Sequence, residues 1–190
     1  MTKILHLKDL PIIENTVCTV GNFDGLHLGH REIIKKVKEI AKKEDLKSLV
    51  LTFHPHPRKI LNPEKLICSI VNLETKIYLF KKENIDYLLI IEFRQNFYQK
   101  SAFEFLNFLK EALKCKVLIV GKDWKFGFKQ EGNIEYAKKV GSSLGIKIIP
   151  IEDIKSNSSR ISSSLIRELL SKGDLKQVEK LLGRKYFLIG

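Results

Sequence analysis

Val20-Gly21-Asn22-Phe23-Asp24-Gly25-Leu26-His27-Leu28-Gly29-His30 is the stretch whose reading decides the fold. The apolar run Val17 to Val20 suits a buried strand and a helical pattern follows at once, so the stretch spans a strand-to-helix junction. Gly21, Gly25 and Gly29 let the backbone turn tightly and approach a ligand. The helix that begins here points free N–H groups at the turn, and its dipole favours bound anions. His27 and His30, three residues apart, share one helix face on the first turn. As protonated or hydrogen-bonding imidazoles they would add donors aimed at a polyphosphate. Metal binding is the rival reading, but two imidazoles with no cysteine and only the Asp24 carboxylate nearby make a poor zinc set, and no protein-held metal is predicted.

Outward from this junction, apolar runs predict strands at Val17 to Val20, Ser48 to Phe53, Tyr87 to Ile91, Lys116 to Val120 and Lys147 to Ile151. The helix opened by the histidines carries Ile33, Ile34, Val37, Ile40 and Ala41 as a core-facing stripe. Further helices are predicted at Leu73 to Lys82, Ala102 to Leu113, Ile134 to Leu144, Ser163 to Ser171 and Leu175 to Leu182, the last two separated by Lys172-Gly173-Asp174. Strands alternating with helices imply an α/β domain: a mainly parallel sheet of about five strands, helices on both faces, a short helical tail, and ligands at the carboxyl ends of the strands.

The chain has 190 residues, 44% of them hydrophobic and 29% charged, which suits one soluble, well-buried domain. No apolar run is long enough to span a bilayer and the N-terminus lacks a signal-peptide core, so a cytoplasmic protein is expected. Cys18, Cys68 and Cys115 are odd in number and set among apolar residues, which predicts buried free thiols. The net charge of +12 invites a nucleic-acid reading. Against it, lysines such as Lys35, Lys36, Lys38, Lys42 and Lys43 alternate with apolar positions as on a solvated helix face. No aromatic-basic interleaving offers a stacking platform either, and no nucleic-acid partner is expected.

Three more segments carry chemistry. In Arg160-Ile161-Ser162-Ser163-Ser164-Leu165-Ile166-Arg167, serines at a helix start can cap it or offer hydroxyls to phosphate, and the flanking guanidiniums can clamp phosphate oxygens. In Thr52-Phe53-His54-Pro55-His56-Pro57, two prolines stiffen an extended loop directly after a strand, a wall suited to a flat ligand. Val120-Gly121-Lys122-Asp123-Trp124-Lys125-Phe126-Gly127-Phe128 leaves a strand with aromatics that could stack on a planar ring.

The first stretch resembles the HxGH signature of the nucleotidyltransferase superfamily. In its longer form, GNFDGLHLGH, it is similar to the N-terminal adenylyltransferase module of the bacterial FAD synthetases, which are bifunctional riboflavin kinases/FMN adenylyltransferases. RISSSLIR resembles that superfamily's ISSTxxR motif with Ser164 in place of the usual Thr. TFHPHP resembles TFxPHP, with His54 where an acidic residue is frequent, and GKDWKFG resembles GxDFxFG with Trp124 for Phe.

The resemblance implies a Rossmann-like nucleotidyltransferase fold and the reaction FMN + ATP to FAD + pyrophosphate, by direct in-line attack without a covalent enzyme intermediate. It implies catalytic roles for His27, His30 and Arg167. Gly21, Asn22, Phe23, Asp24, Gly25, Gly29, Arg160, Ser162, Ser163 and Ser164 would contact ATP, and Phe53, Pro55, His56, Pro57, Asp123 and Phe126 would contact FMN. Mg²⁺ would be held mainly through the ATP phosphates. Residues 1–184 would form the transferase domain and 185–190 the start of a connection to a riboflavin kinase module outside this chain, so no kinase activity is expected. The competing readings are an adenylyltransferase for pantetheine phosphate or nicotinate mononucleotide, and a non-catalytic nucleotide- or RNA-binding module. Oligomeric state is left open.

Overall fold

The computed structural model describes residues 1–61, 64, 68–152, 155, 156 and 159–190, with backbone alone for 95, 96, 155, 156 and 159. In chain order the strands are β1 (Lys3–Leu5), β2 (Thr16–Val20), β3 (Lys47–Phe53), β4 (Tyr87–Ile91), β5 (Cys115–Gly121), β6 (Lys147–Ile151), β7 (Lys155–Ser156) and β8 (Ser159–Arg160). The helices are α1 (Leu28–Lys43), α2 (Pro57–Leu61), α3 (Leu73–Lys82), α4 (Gln95–Tyr98), α5 (Ala102–Leu113), α6 (Ile134–Leu144), α7 (Ser163–Ser171) and α8 (Leu175–Leu182).

Six strands pair in parallel in the order β1-β4-β3-β2-β5-β6, and β7 pairs with β8 as a small antiparallel ribbon. The sheet thus has one strand more than the five expected. The extra strand is β1, whose three residues are too short to show an alternating pattern; its identity rests on distant pairing, Lys3 beside Tyr87 to Leu5 beside Leu89. Pro150 lies in β6 at the sheet's edge, where a missing ladder donor is tolerated.

Alternation along the strands feeds two cores. Cys18, Val20, Leu49, Leu51, Leu89, Ile91, Leu118 and Val120 face α5 and α6. On the other face Val50, Leu88 and Ile90 meet Ile34 of α1 with Leu79 and Phe80 of α3, and Val17, Val117 and Ile119 meet Val37 and Ala41. Each buried aliphatic side chain contributes about 1.5–3 kcal/mol, so this two-sided burial rather than helix propensity holds the elements in place. A third cluster joins α7 and α8 to Ile70 and Val71.

Strand order reverses between β2 and β5, which leaves a crevice at their carboxyl ends. The histidine loop follows β2, the TFHPHP segment follows β3, and the GKDWKFG segment follows β5. Two expectations need correction. Cys68 is exposed; only Cys18 and Cys115 are buried free thiols. TFHPHP is not an extended loop throughout, because Pro57 opens α2, the first-turn position that needs no N–H. Past residue 184 the Tyr186 hydroxyl donates to the Ile70 carbonyl at 2.9 Å and the Ile189 N–H to Thr75 Oγ1 at 2.8 Å, which ties these residues to the start of α3 and the segment before it.

Candidate active site

The histidine loop is folded around one carboxylate. Asp24 is 2% exposed, and its oxygens accept from the N–H of Ile70 (3.0 and 3.1 Å), from the N–H of Val71 (3.4 Å) and from Arg167 Nη2 (2.6 Å). The Asp24 carbonyl accepts from Ser163 Oγ at 3.1 Å. The loop reaches this shape through positive φ at Phe23 (47°), Gly25 (79°) and Leu26 (43°), strained for the two non-glycine residues. At Gly25 a Cβ would stand 2.9 Å from Ile70 Cγ2, so glycine is required there twice over.

His27 is the N-cap of α1 rather than a member of its first turn, its Nδ1 accepting from the His30 N–H at 3.3 Å. A neutral His27 accepting at Nδ1 carries its proton on Nε2, which is then a donor for a ligand. The His27 and His30 rings stack with centroids 3.5 Å apart. Burial, reinforced by Arg160 and opposed by Asp24, pushes His27 down to about 4. His30 is pushed well below its ordinary value by burial, then by His27 and Lys76, and its Nδ1 has no hydrogen-bond partner among the described residues. Both imidazoles are therefore neutral near pH 7, and the protonated alternative is set aside: the pair offers N–H dipoles, not two full charges.

The serine motif arrives from the opposite side. Ser162 caps α7, accepting from the Leu165 N–H at 3.2 Å; Ser163 reaches back to Asp24, while Ser164 stays exposed. Arg167 lies beneath, one arm on Asp24 and Nε on the Cys68 carbonyl at 3.0 Å. Arg160 forms an exposed ion pair with Asp123 at 2.8 Å. The N-termini of α1 and α7 thus converge on Asp24, which puts two orphaned N–H sets and their dipoles on one spot.

Beside this polar centre lies a cavity of about 490 Å³, large enough for a planar tricyclic ring. Gly21 and Asn22 line it together with Phe53, Pro57, Phe97, Phe105, Trp124 and Phe126. Trp124 and Phe126 stack at 4.1 Å with 11° between their planes. Gly127, at φ 77°, lets their loop press on α5, where a Cβ would stand 2.6 Å from the Ala102 nitrogen.

Placement of the expected residues is uneven. His27, His30, Gly25, Asp24, Ser162, Ser163 and Arg167 cluster, and Gly29 sits half-buried on the first turn of α1. The Phe23 ring is turned into the core, edge-on to His30 at 5.1 Å and to Phe80 at 5.7 Å, and the Asp24 carboxylate faces inward; neither side chain is presented to solvent. Of the residues assigned to the flat ligand, Phe53, Pro57 and Phe126 line the cavity, whereas Pro55, His56 and Asp123 do not. His56 is buried toward the polar centre, accepts from the Arg58 N–H at 3.2 Å, and is pushed to about 4 by burial and by Arg167. Sequence reasoning missed Phe93 and Phe97, although aromatics directly after β4 satisfy the same strand-end rule that picked out Trp124. It also missed Lys76, which carries no motif.

Among the described residues no group of three His, Cys, Asp or Glu could hold a metal ion, because the nearest carboxylate, Asp24, is already engaged by Arg167 and backbone N–H groups. No helix among them is long and apolar enough to cross a membrane.

A family model described as FAD synthetase matches residues 10–165. The bifunctional riboflavin kinase/FMN adenylyltransferase of Buchnera aphidicola subsp. Acyrthosiphon pisum is 35% identical over 180 residues, covering 94% of this chain and 58% of that protein. That of Escherichia coli K12 is 32% identical over 178 residues, covering 93% of this chain and 57% of its own length. The chain therefore spans somewhat over half the length of these curated relatives. A crystal structure described as a macrolide-efflux protein from Streptococcus pneumoniae superposes with a TM-score of 0.88 at 27% identity, covering 98% of this chain and 72% of that one.

Proposed function

The chain belongs to the FAD synthetase family, and from that premise we propose that it transfers AMP from ATP to FMN, giving FAD and pyrophosphate. An oxygen of the FMN phosphate attacks the ATP α-phosphorus in line; the new P–O bond forms as the bond from the α-phosphorus to the bridging oxygen breaks, and pyrophosphate departs with that oxygen. A phosphate monoester is largely ionised near pH 7, with its second pKa at about 6, so no protein base is needed. The chain's work is to position the two substrates and stabilise the charge that shifts between them.

The observation that carries this reading is the continuity of the two sites: Gly21 and Asn22, the first residues of the histidine loop, line the aromatic cavity. A flavin ring held between Phe53 and the Trp124–Phe126 stack would bring its phosphate toward His27 and His30. Small aliphatic acceptors make no use of such walls. His27 Nε2–H and the N-termini of α1 and α7 donate to phosphate oxygens, with Ser162, Ser163 and Ser164 at the second helix. Arg160 and Arg167 lie on the pyrophosphate side, where Arg167 acts partly by fixing Asp24 and with it the loop. Gly21, Asn22, Gly25 and Gly29 admit the nucleotide by backbone shape; Phe23 and Asp24 support it from inside. Mg²⁺ enters as part of the ATP substrate. Residues 1–184 carry this activity, in the cytoplasm, and 185–190 begin the connection toward a kinase module.

The test is to mix the protein with FMN, ATP and Mg²⁺, follow the fall in flavin fluorescence and identify the product by chromatography, with riboflavin in parallel. FAD from FMN and nothing from riboflavin is expected. ATP binding without FAD formation would overturn flavin as the acceptor.

A further inference from the structure

One buried cation at the join between the two sites has no part in the scheme above. Lys76, on the first turns of α3, is 6% exposed. Its Nζ donates to the Asn22 carbonyl at 2.9 Å and to the Phe53 carbonyl at 3.4 Å. Asn22 belongs to the loop after β2 and Phe53 ends β3, and both line the aromatic cavity. The Asn22 carbonyl also accepts from Thr52 Oγ1 at 3.1 Å, so it stays partnered without the lysine. Among the described residues no carboxylate pairs with Nζ. The negative group that acts on it is Asp24, whose hydrogen bonds go to Arg167, Ile70 and Val71. The other titratable groups facing it are His30, His54 and His56, each held down in part by its charge. Burial brings Lys76 from the ordinary 10.5 to about 8, Asp24 opposing.

For stability alone this is a poor choice. An ammonium taken out of water without a counter-ion costs several kcal/mol, and an apolar side chain of similar volume is usually neutral or stabilising there. Perturbed ionisable groups of this kind cluster at functional sites. We infer that Lys76 is a positioning residue of the proposed transfer: its buried ammonium holds the Asn22 and Phe53 carbonyls together at the join between nucleotide loop and ring cavity, and its charge is completed by the phosphates of bound nucleotide. This rests on the proposed function for the chemistry, but not for the charge coupling. A bound polyanion favours the protonated amine, so nucleotide binding above pH 8 draws a proton onto Lys76.

Calorimetric titration of the whole chain with ATP and Mg²⁺ at pH 8.5, in two buffers of different ionisation enthalpy, reads that proton directly. At this pH the ATP phosphates are ionised and the neutral imidazoles lie far from titration. The wild type is expected to take up a large fraction of one proton and Lys76→Met none. Lys76→Met should lower kcat/KM for FAD formation by about tenfold to a hundredfold, the effect of losing a charged hydrogen-bond donor, with no fall in the thermal midpoint. Lys76→Arg should regain most of the turnover without the proton uptake. The inference is overturned by no uptake by the wild type, by the same uptake by Lys76→Met, or by activity lost only in proportion to thermal stability. Should the wild type make no FAD, the acceptor assignment fails while the proton count still decides the role of Lys76. Should it make FAD as fast as Lys76→Met does, the lysine inference fails alone.

Discussion

Around Asp24, directed bonds between buried polar atoms do the construction: two backbone N–H groups, a guanidinium, a serine hydroxyl and the His27 cap all close on one loop. At the Trp124–Phe126 stack the construction is aromatic instead, with rings contributed by the end of β3, α4, α5 and the loop after β5. The contrast follows from what each part would hold. Charge moving between phosphate oxygens is stabilised only by dipoles already aimed at it, whereas a flat ring is held by area and tolerates small shifts of its walls. Substitutions in the polar centre should therefore strike stability and turnover together, and substitutions in the cavity should strike affinity alone.

The harshest way to break that comparison is Arg167→Ala. It leaves the Asp24 carboxylate buried without its cation, which costs about 3–5 kcal/mol of stability on top of any lost phosphate contact. Denaturant unfolding checks the first effect and single-turnover FAD formation the second. The double variant Asp24→Asn with Arg167→Met should recover most of the stability but not the turnover. An unfolding midpoint untouched by Arg167→Ala would mean the pair does not hold the loop.

His30→Ala should come next, slowing FAD formation by about a hundredfold to a thousandfold, the effect of one preorganised donor. Flavin affinity, read by fluorescence quenching, should stay within a few-fold of wild type. A parallel loss of flavin binding would dissolve the distinction between the two regions.

Acid should act on the polar centre through the same histidines. His27 is depressed to about 4 in the fold and returns to about 6.5 on unfolding, so between these values the unfolded chain binds the extra proton. Its contribution is present above pH 6.5 and is lost as pH falls toward 4, up to about 3 kcal/mol, with His56 adding in the same direction. Thermal midpoints measured from pH 7 down to pH 4 should fall, and His27→Ala should flatten the slope.

How much of this was legible in the sequence follows the same division. Polar recognition is local, so GNFDGLHLGH and RISSSLIR point to their neighbourhood as contiguous runs. Helix bounds at Leu73–Lys82, Ala102–Leu113 and Ile134–Leu144 were equally readable, because each has a side-chain cap, Asn72, Ser101 or Asn133, before its apolar stripe. The aromatic walls come from elements far apart in the chain, and nothing local to Phe97 or Phe105 says that they face Trp124. Direction of a side chain is illegible for the same reason. Asp24 is turned inward by partners at positions 70, 71 and 167, and His56 is buried with the Arg58 N–H as its donor, neither of which a local reading shows. Lys76 is hidden most completely: a lysine in Glu74-Thr75-Lys76-Ile77 looks like any solvated helix residue until Asn22 and Phe53 are brought over it.

Trp124→Ala sharpens the comparison from the cavity side. Removing one face of the ring stack should weaken flavin binding by about tenfold, with nucleotide affinity unchanged, since a stacked aromatic contributes about 0.5–1.5 kcal/mol beyond its buried area.

The smallest effect belongs to the place where the two regions touch. Arg160 and Asp123 pair at 2.8 Å, joining the rim of the cavity to the approach to α7, and both side chains are more than half exposed. Such a pair contributes about 0–1 kcal/mol, so Asp123→Asn should leave the thermal midpoint where it is. If Arg160 turns to phosphate when nucleotide binds, it must first leave Asp123, and removing that competitor should tighten ATP binding by about twofold to threefold at low ionic strength. The gain should fade as salt rises toward about 1 M, where the screening length shrinks to about 3 Å. A gain that persists at high salt would point to altered loop shape rather than charge, and no gain at any salt would mean that Arg160 keeps its carboxylate while the nucleotide is bound by the backbone and imidazoles alone.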